Sequence, residues 1–187
     1  MLRAIILISW ASLALALTKQ GLYPFGDAQG DKRLPFGDDI SSEEIQLATP
    51  VAFYDSLFNS LFVNLNGHVS FESEIPAYKS DFIIPAQRFK LIAPYLADAD
   101  NRLSGNVYYR ESMDPALLDL VSREVTSNWP SRRNFRATNI FIVTWDEVGY
   151  FDRQYDKVNT FQLVLASNGA ESYALFHYIT DGIQWIR

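Results

Sequence analysis

Cysteine is absent from this 187-residue chain, and histidine occurs only at His68 and His177. The first absence rules out thiol nucleophiles, zinc–thiolate centres and disulfide links to a partner. Two isolated histidines cannot build a three-histidine zinc site. The chain also lacks a Gly-x-Ser-x-Gly nucleophile elbow and a phosphate-cradling glycine loop. Without an Asn-x-Ser/Thr sequon, N-glycosylation is not expected. Positive charge is scarce as well: 16 Lys and Arg against 22 Asp and Glu leave a net charge of −6. Nucleic acid and anionic membranes both demand a basic face, so this balance disfavours them as partners. The one basic cluster, Arg132-Arg133 with Arg136, follows Pro130 and Ser131. Its plain reading is a solvated loop; the sharper one is a contact for sulfated glycosaminoglycan, for which three arginines are few.

Long apolar runs are equally scarce, with one exception. Ala4–Leu17 is apolar except for Ser9 and Ser12, follows the positive Arg3, and ends at the polar Thr18-Lys19-Gln20. It is shorter than the roughly 20 residues a permanent transmembrane helix needs. Ala14-Leu15-Ala16 supplies the small-x-small pattern of a signal-peptidase site, so residues 1–16 read as a signal peptide cleaved after Ala16. The mature chain then starts at Leu17, and no second run anchors it to a membrane. A secreted product is expected. What remains is a single domain by length, 17–187, and at 48% hydrophobic and 20% charged it is too apolar for disorder. A chain of this size can bury about 70% of its unfolded surface, so it can fold without disulfides.

Gly21–Glu44 is rich in turn residues and reads as an irregular lead into the first strand. Asn66-Gly67, between Leu61–Leu65 and His68–Phe71, predicts a hairpin closed by a two-residue type I′ turn. That register sets Asn64 opposite Val69 and Phe62 opposite Phe71, giving one aromatic, buried face. The one convincing helix spans about 114–129. Asp114 or Ser112 caps it, Pro115 suits its first turn, and Leu117, Leu118, Val121, Val125 and Trp129 form its apolar stripe, with Asp119, Arg123 and Glu124 mostly outside. Ile140–Trp145 is apolar except at Thr144, which predicts a strand covered on both faces. Thr160–Ala166 and Tyr173–Ile179 flank a turn at Ser167-Asn168-Gly169, and Asp181-Gly182 turns into a last strand, Ile183–Ile186. The expected fold is α+β, mostly antiparallel β: a two-layer sheet architecture with one amphipathic helix.

Seven blocks, in order, resemble the signature of the NIDO domain, the globule found at the N-terminus of nidogen (entactin) and in alpha-tectorin. They are Tyr23-Pro24-Phe25-Gly26; Phe62-Val63-Asn64 with Asn66-Gly67; Ile92-Ala93-Pro94 with Ala97-Asp98 and Asp100; Tyr108-Tyr109-Arg110-Glu111; Phe141–Trp145; Asn159–Ala166; and Tyr173–Phe176. The closing blocks look nearer to nidogen than to tectorin. The resemblance implies an extracellular-matrix module acting in cell–matrix adhesion and basement-membrane assembly, with a matrix or cell-surface protein as partner. NIDO domains usually continue past the tryptophan at Trp185, so the domain is expected to be C-terminally incomplete, a fragment.

Asp98, Asp100 and Asn101 are the best candidates for a metal site, because alternating carboxylates resemble the start of a calcium loop. Yet Leu103 stands where an EF-hand needs glycine and Tyr109 where it needs an acid. The preferred reading is that Asp98 and Asp100 accept backbone N–H bonds and shape a loop, with no metal and no cofactor. The enzymatic alternative is a glycoside hydrolase-like or calcium-dependent glycan-binding domain using the acidic loops, with a carboxylate pair drawn from Glu111, Asp146, Glu147, Asp152 and Asp156. No acid is tied to an apolar pocket by spacing, so a non-catalytic interaction module is preferred.

Overall fold

The computed structural model describes residues 17–78 and 89–186; the expected leader, residues 1–16 with its cleavage point at Ala16, lies outside them. A run apolar at nearly every position needs cover on both sides, and Ile140–Trp145 within β8 (Asn139–Tyr150) has it. It sits centrally in a six-stranded antiparallel sheet of order β1-β7-β8-β9-β10. Its neighbours are β7 (Asn106–Ser112) and β9 (Gln154–Ser167), flanked in turn by β1 (Lys32–Arg33) and β10 (Ser172–Ile183), while β6 (Ala99–Asp100) also pairs with β8. The second sheet joins β2 (Ile45–Phe53), β3 (Ser56–Asn64), β4 (His68–Ser70) and β5 (Leu91–Ile92). No helix among the described residues is long and apolar enough to cross a membrane.

Alternate residues of β8 feed two cores. Phe141, Val143 and Trp145 pack between the sheets against Leu61, Val63, Leu65, Val69 and Phe71. Ile140 and Ile142 face the other way, toward Val121 and Val125 of α1 (Pro115–Asn128). The helix begins as its sequence dictates: the Asp114 carboxylate accepts from Ala116 N at 2.9 Å and Leu117 N at 3.1 Å. At its far end Trp129 closes the last turn rather than extending the stripe, and stays 42% exposed.

Two expectations are corrected. The hairpin at Asn66-Gly67 forms, but with a three-residue loop: Asn64 pairs with His68, Val63 with Val69 and Phe62 with Ser70. Gly67 takes the left-handed conformation (φ 82°) that closes such a loop, and a Cβ there would lie 1.8 Å from the Tyr95 carbonyl oxygen. A slip of one residue exchanges the faces. The side facing the inter-sheet core is therefore Leu61, Val63, Leu65 and Val69, leaving Phe62 only partly buried. Secondly, Ile183–Ile186 is not a separate strand. β10 runs through Asp181-Gly182 to Ile183 with a register shift after Tyr178, and Asn159 fastens the two residues beyond its end. Its Oδ1 accepts from Gln184 N (2.8 Å) and Trp185 N (3.2 Å), and its Nδ2 donates to Trp185 O (3.0 Å).

Candidate interaction surfaces and the acidic loops

The loop after β6 is built around a buried carboxylate. Asp100 Oδ1 accepts from Arg102 N (3.0 Å) and Nε (2.9 Å), and Oδ2 accepts from Arg153 N (3.0 Å) at the β8–β9 turn. Burial pushes this carboxyl up, but the hydrogen bonds from Arg102 and Arg153 and the Arg102 charge hold it below its ordinary range. Arg102 Nη2 also reaches Asp38 Oδ2 at 3.0 Å. Asn101 is spent in the same way, accepting from Gly37 N (2.8 Å) and donating to Pro35 O (3.3 Å). Asp100 and Asn101 thus tie the N-terminal lead to the end of the sheet.

Asp98 belongs to another group. Its carboxylate lies with those of Asp38 and Asp39, ligand atoms within 4.8 Å of one another. Asp39 Oδ1 already accepts from Asn66 Nδ2 (2.7 Å) and Tyr78 N (2.8 Å). Burial, and then the neighbouring Asp100 charge, raise Asp38 above its usual value against the pull of Arg102. Sequence reasoning missed Asp38 and Asp39. The only signal was an acidic pair after Gly37, in a stretch without periodicity.

The acids considered for glycoside hydrolysis are dispersed and mostly engaged. Glu111 Oε1 accepts from Ala48 N (2.9 Å), and Asp156 accepts from the Tyr150 hydroxyl (2.7 Å). Asp152 lies exposed at the β8–β9 turn. Asp146 and Glu147 both hold Lys19, at 2.6 and 3.0 Å. Burial raises Asp146 despite that cation. Lys19 itself is raised: burial opposes its charge, and the two carboxylates outweigh it.

The histidines separate completely. His68 is buried in β4, and burial pushes it down to about 4, so it is neutral at physiological pH. His177 Nε2 lies 2.8 Å from Glu124 Oε1, while the Tyr23 hydroxyl donates to Glu124 Oε2 at 2.7 Å. Glu124, read from the helix pattern as mostly outside the apolar stripe, therefore joins α1, β10 and the N-terminal segment. Burial raises its pKa, but hydrogen bonds from His177 and Tyr23 bring it below the ordinary value.

An open cleft of about 450 Å³ lies where β2, β5 and β10 meet, lined by Val51–Tyr54, Leu91–Ala93 and Ser172–Ala174 among others. Tyr54, at the β2–β3 turn, is 93% exposed with φ 53°. The basic loop, Arg132, Arg133 and Arg136, is exposed beyond α1.

A family model, the nidogen-like domain (NIDO), matches residues 59–187. This chain belongs to the nidogen-like domain family. It is 41% identical to nidogen-2 of Mus musculus over 181 residues, covering 91% of this chain and 13% of that protein. It is 38% identical to alpha-tectorin of Mus musculus over 176 residues, 90% of this chain and 8% of that protein. Nidogen-1 of Mus musculus is 37% identical over 195 residues, 95% and 15% respectively. The chain thus spans under a sixth of these relatives. The identities do not separate nidogens from tectorin. No solved structure matches the chain significantly.

The residues that carry the nidogen-like signature build the fold. Trp145 Nε1 donates to Asn64 O (3.1 Å) and Leu65 O (3.0 Å), and its ring stacks on Phe161 at 4.9 Å. Asn66 Oδ1 accepts from Ala99 N at 2.8 Å. Each bond satisfies a buried polar group that would otherwise cost about 1–3 kcal/mol. The blocks recognisable in sequence are fasteners between the sheets and their loops.

Proposed function

We propose that this chain is a secreted, non-catalytic interaction module of the extracellular matrix, acting in cell–matrix adhesion and basement-membrane assembly. The observation that carries the reading is the nidogen-like family match across most of the chain. The acids support it: Asp100, Glu111, Asp146 and Asp156 are held by backbone amides, a lysine or a tyrosine. A hydrolase would need a carboxylate pair flanking a substrate cleft, and the cleft beside β10 is lined by apolar and hydroxyl side chains without an acid. The partner is a matrix or cell-surface protein.

Expression from Met1 in cultured animal cells tests the reading. The product should enter the medium with an N-terminus near Leu17, deposit with laid-down basement-membrane matrix, and turn over nothing in a panel of glycans and esters. A membrane-bound product retaining Met1–Leu17, or turnover abolished by Asp98→Asn or Asp146→Asn, would sink it.

A further inference from the structure

We propose that the turn after α1, carrying Arg132, Arg133 and Arg136, is a docking site for a sulfated polysaccharide. In a chain of net charge −6 these guanidiniums stand within Trp129–Ala137, a stretch without any acid. Local charge here has the opposite sign to the whole, so it is not a by-product of composition. The turn is also tied down by hydrogen bonds and a buried side chain. Arg132 N donates to Trp129 O and Phe135 N to Arg132 O, both at 2.8 Å. Ala137 N donates to the Ser122 hydroxyl at 3.0 Å, and Phe135 is buried in the helix-side core. The arginines therefore project from a fixed backbone, which lowers the ordering cost of binding.

Compensation of the charge is incomplete. Arg132 meets Glu171 Oε1 at 2.8 Å. Arg136 Nη1 donates only to carbonyls, of Phe135 (2.7 Å) and Arg133 (3.3 Å). Neither Arg133 nor Arg136 pairs with a carboxylate among the described residues. The adjoining helix C-terminus contributes roughly half a negative charge, too little to balance them.

The aromatic neighbour narrows the ligand. Trp129, 42% exposed, packs on Tyr173 at 5.3 Å between ring centres and offers an apolar surface at the start of the same turn. Planar guanidinium forks match sulfate oxygens in pairs, and an indole face suits the apolar side of a sugar ring. Nucleic acid and anionic membranes present many charges over a wide area, where the overall −6 repels them. A sulfated polysaccharide is a partner class beyond the matrix reading, and its binding is measured on the purified domain alone.

The test is heparin-column elution at low ionic strength. Wild type should be retained and released by salt, and Arg133→Ala/Arg136→Ala should run in the flow-through with unchanged melting temperature. Trp129→Ala should elute earlier than wild type. Glu171→Gln, which frees Arg132, should elute later. Glu72→Gln, which frees Lys90 elsewhere by removing the same charge, should not shift elution. Wild type in the flow-through, equal retention of the double variant, or coincident elution of the two glutamine variants would overturn the proposal. Displacement by polyglutamate as readily as by dextran sulfate would replace the sugar with an acidic protein segment. Matrix deposition is scored separately, so the matrix reading can stand when this one fails.

Discussion

Gln162 and Tyr23 exchange two hydrogen bonds: Tyr23 N donates to Oε1 and Nε2 donates to Tyr23 O, each at 2.9 Å. The buried carboxamide acts as one rung of a β-ladder toward a segment that is not a strand. Its Nε2 also donates to the Thr144 hydroxyl at 2.8 Å. Gln162→Leu removes all three bonds and leaves a buried amide and carbonyl alone. Each orphaned group costs about 1–3 kcal/mol. Denaturant unfolding should show a loss in that range or above, and hydrogen exchange at the Tyr23 amide should accelerate.

Below the helix-side core, Glu124 makes stability depend on acidity. Its folded pKa lies below the ordinary value, with burial opposed by the bonds from His177 and Tyr23. The folded state thus binds its proton less tightly than the unfolded state does. The contribution is complete above the unfolded carboxyl range and is lost as pH falls through the folded value. Melting curves between pH 7 and pH 3 should therefore fall less steeply for Glu124→Gln than for wild type, and the variant should be less stable at pH 7. Parallel curves would remove this assignment.

Calcium is expected to leave the melting temperature unchanged, as is EDTA. Asp100→Ala should nevertheless destabilise by about 1–3 kcal/mol, because it strips the acceptor from the Arg102 and Arg153 amides. Binding confined to the native state would add about 2.7 kcal/mol at one hundred times Kd. A rise of that size, absent from Asp38→Asn/Asp98→Asn, would overturn the expectation and make the Asp38, Asp39 and Asp98 group a cation site.

Gly67→Ala should prevent accumulation of folded protein. The new Cβ would meet the Tyr95 carbonyl at 1.8 Å, and φ 82° is strained for any residue with a side chain. Soluble, cooperatively melting Gly67→Ala protein would contradict the loop geometry.

The regular elements were legible in the sequence because each follows from a local pattern. Asp114-Pro115 starts a helix wherever it precedes an apolar stripe, and an unbroken apolar run such as Ile140–Val143 predicts a two-faced strand. The Asn66-Gly67 register was missed because a two-residue and a three-residue loop use the same dipeptide. Only the Asn66 contacts with Asp39, Pro76 and Ala99, remote in sequence, select the longer one. Distance along the chain hid the sites as well. Asp98 meets Asp38 and Asp39, and Glu124 meets His177 and Tyr23, through packing that neither spacing nor periodicity encodes. The arginine turn was visible as composition, but its hydrogen-bonded backbone and its exposed indole were not.

β8 works as a partition wall. Ile142 and Val143 are covalent neighbours, yet each reports on a different interior, one bounded by α1 and the other by the second sheet. Their truncations should behave as nearly independent perturbations, with energies that add, because the side chains share few packing partners. A void opened on one side cannot be filled from the other without rotating the strand. Substitutions can accumulate in the helix-side interior while the inter-sheet interior, which holds Trp145 against Asn64, keeps its packing.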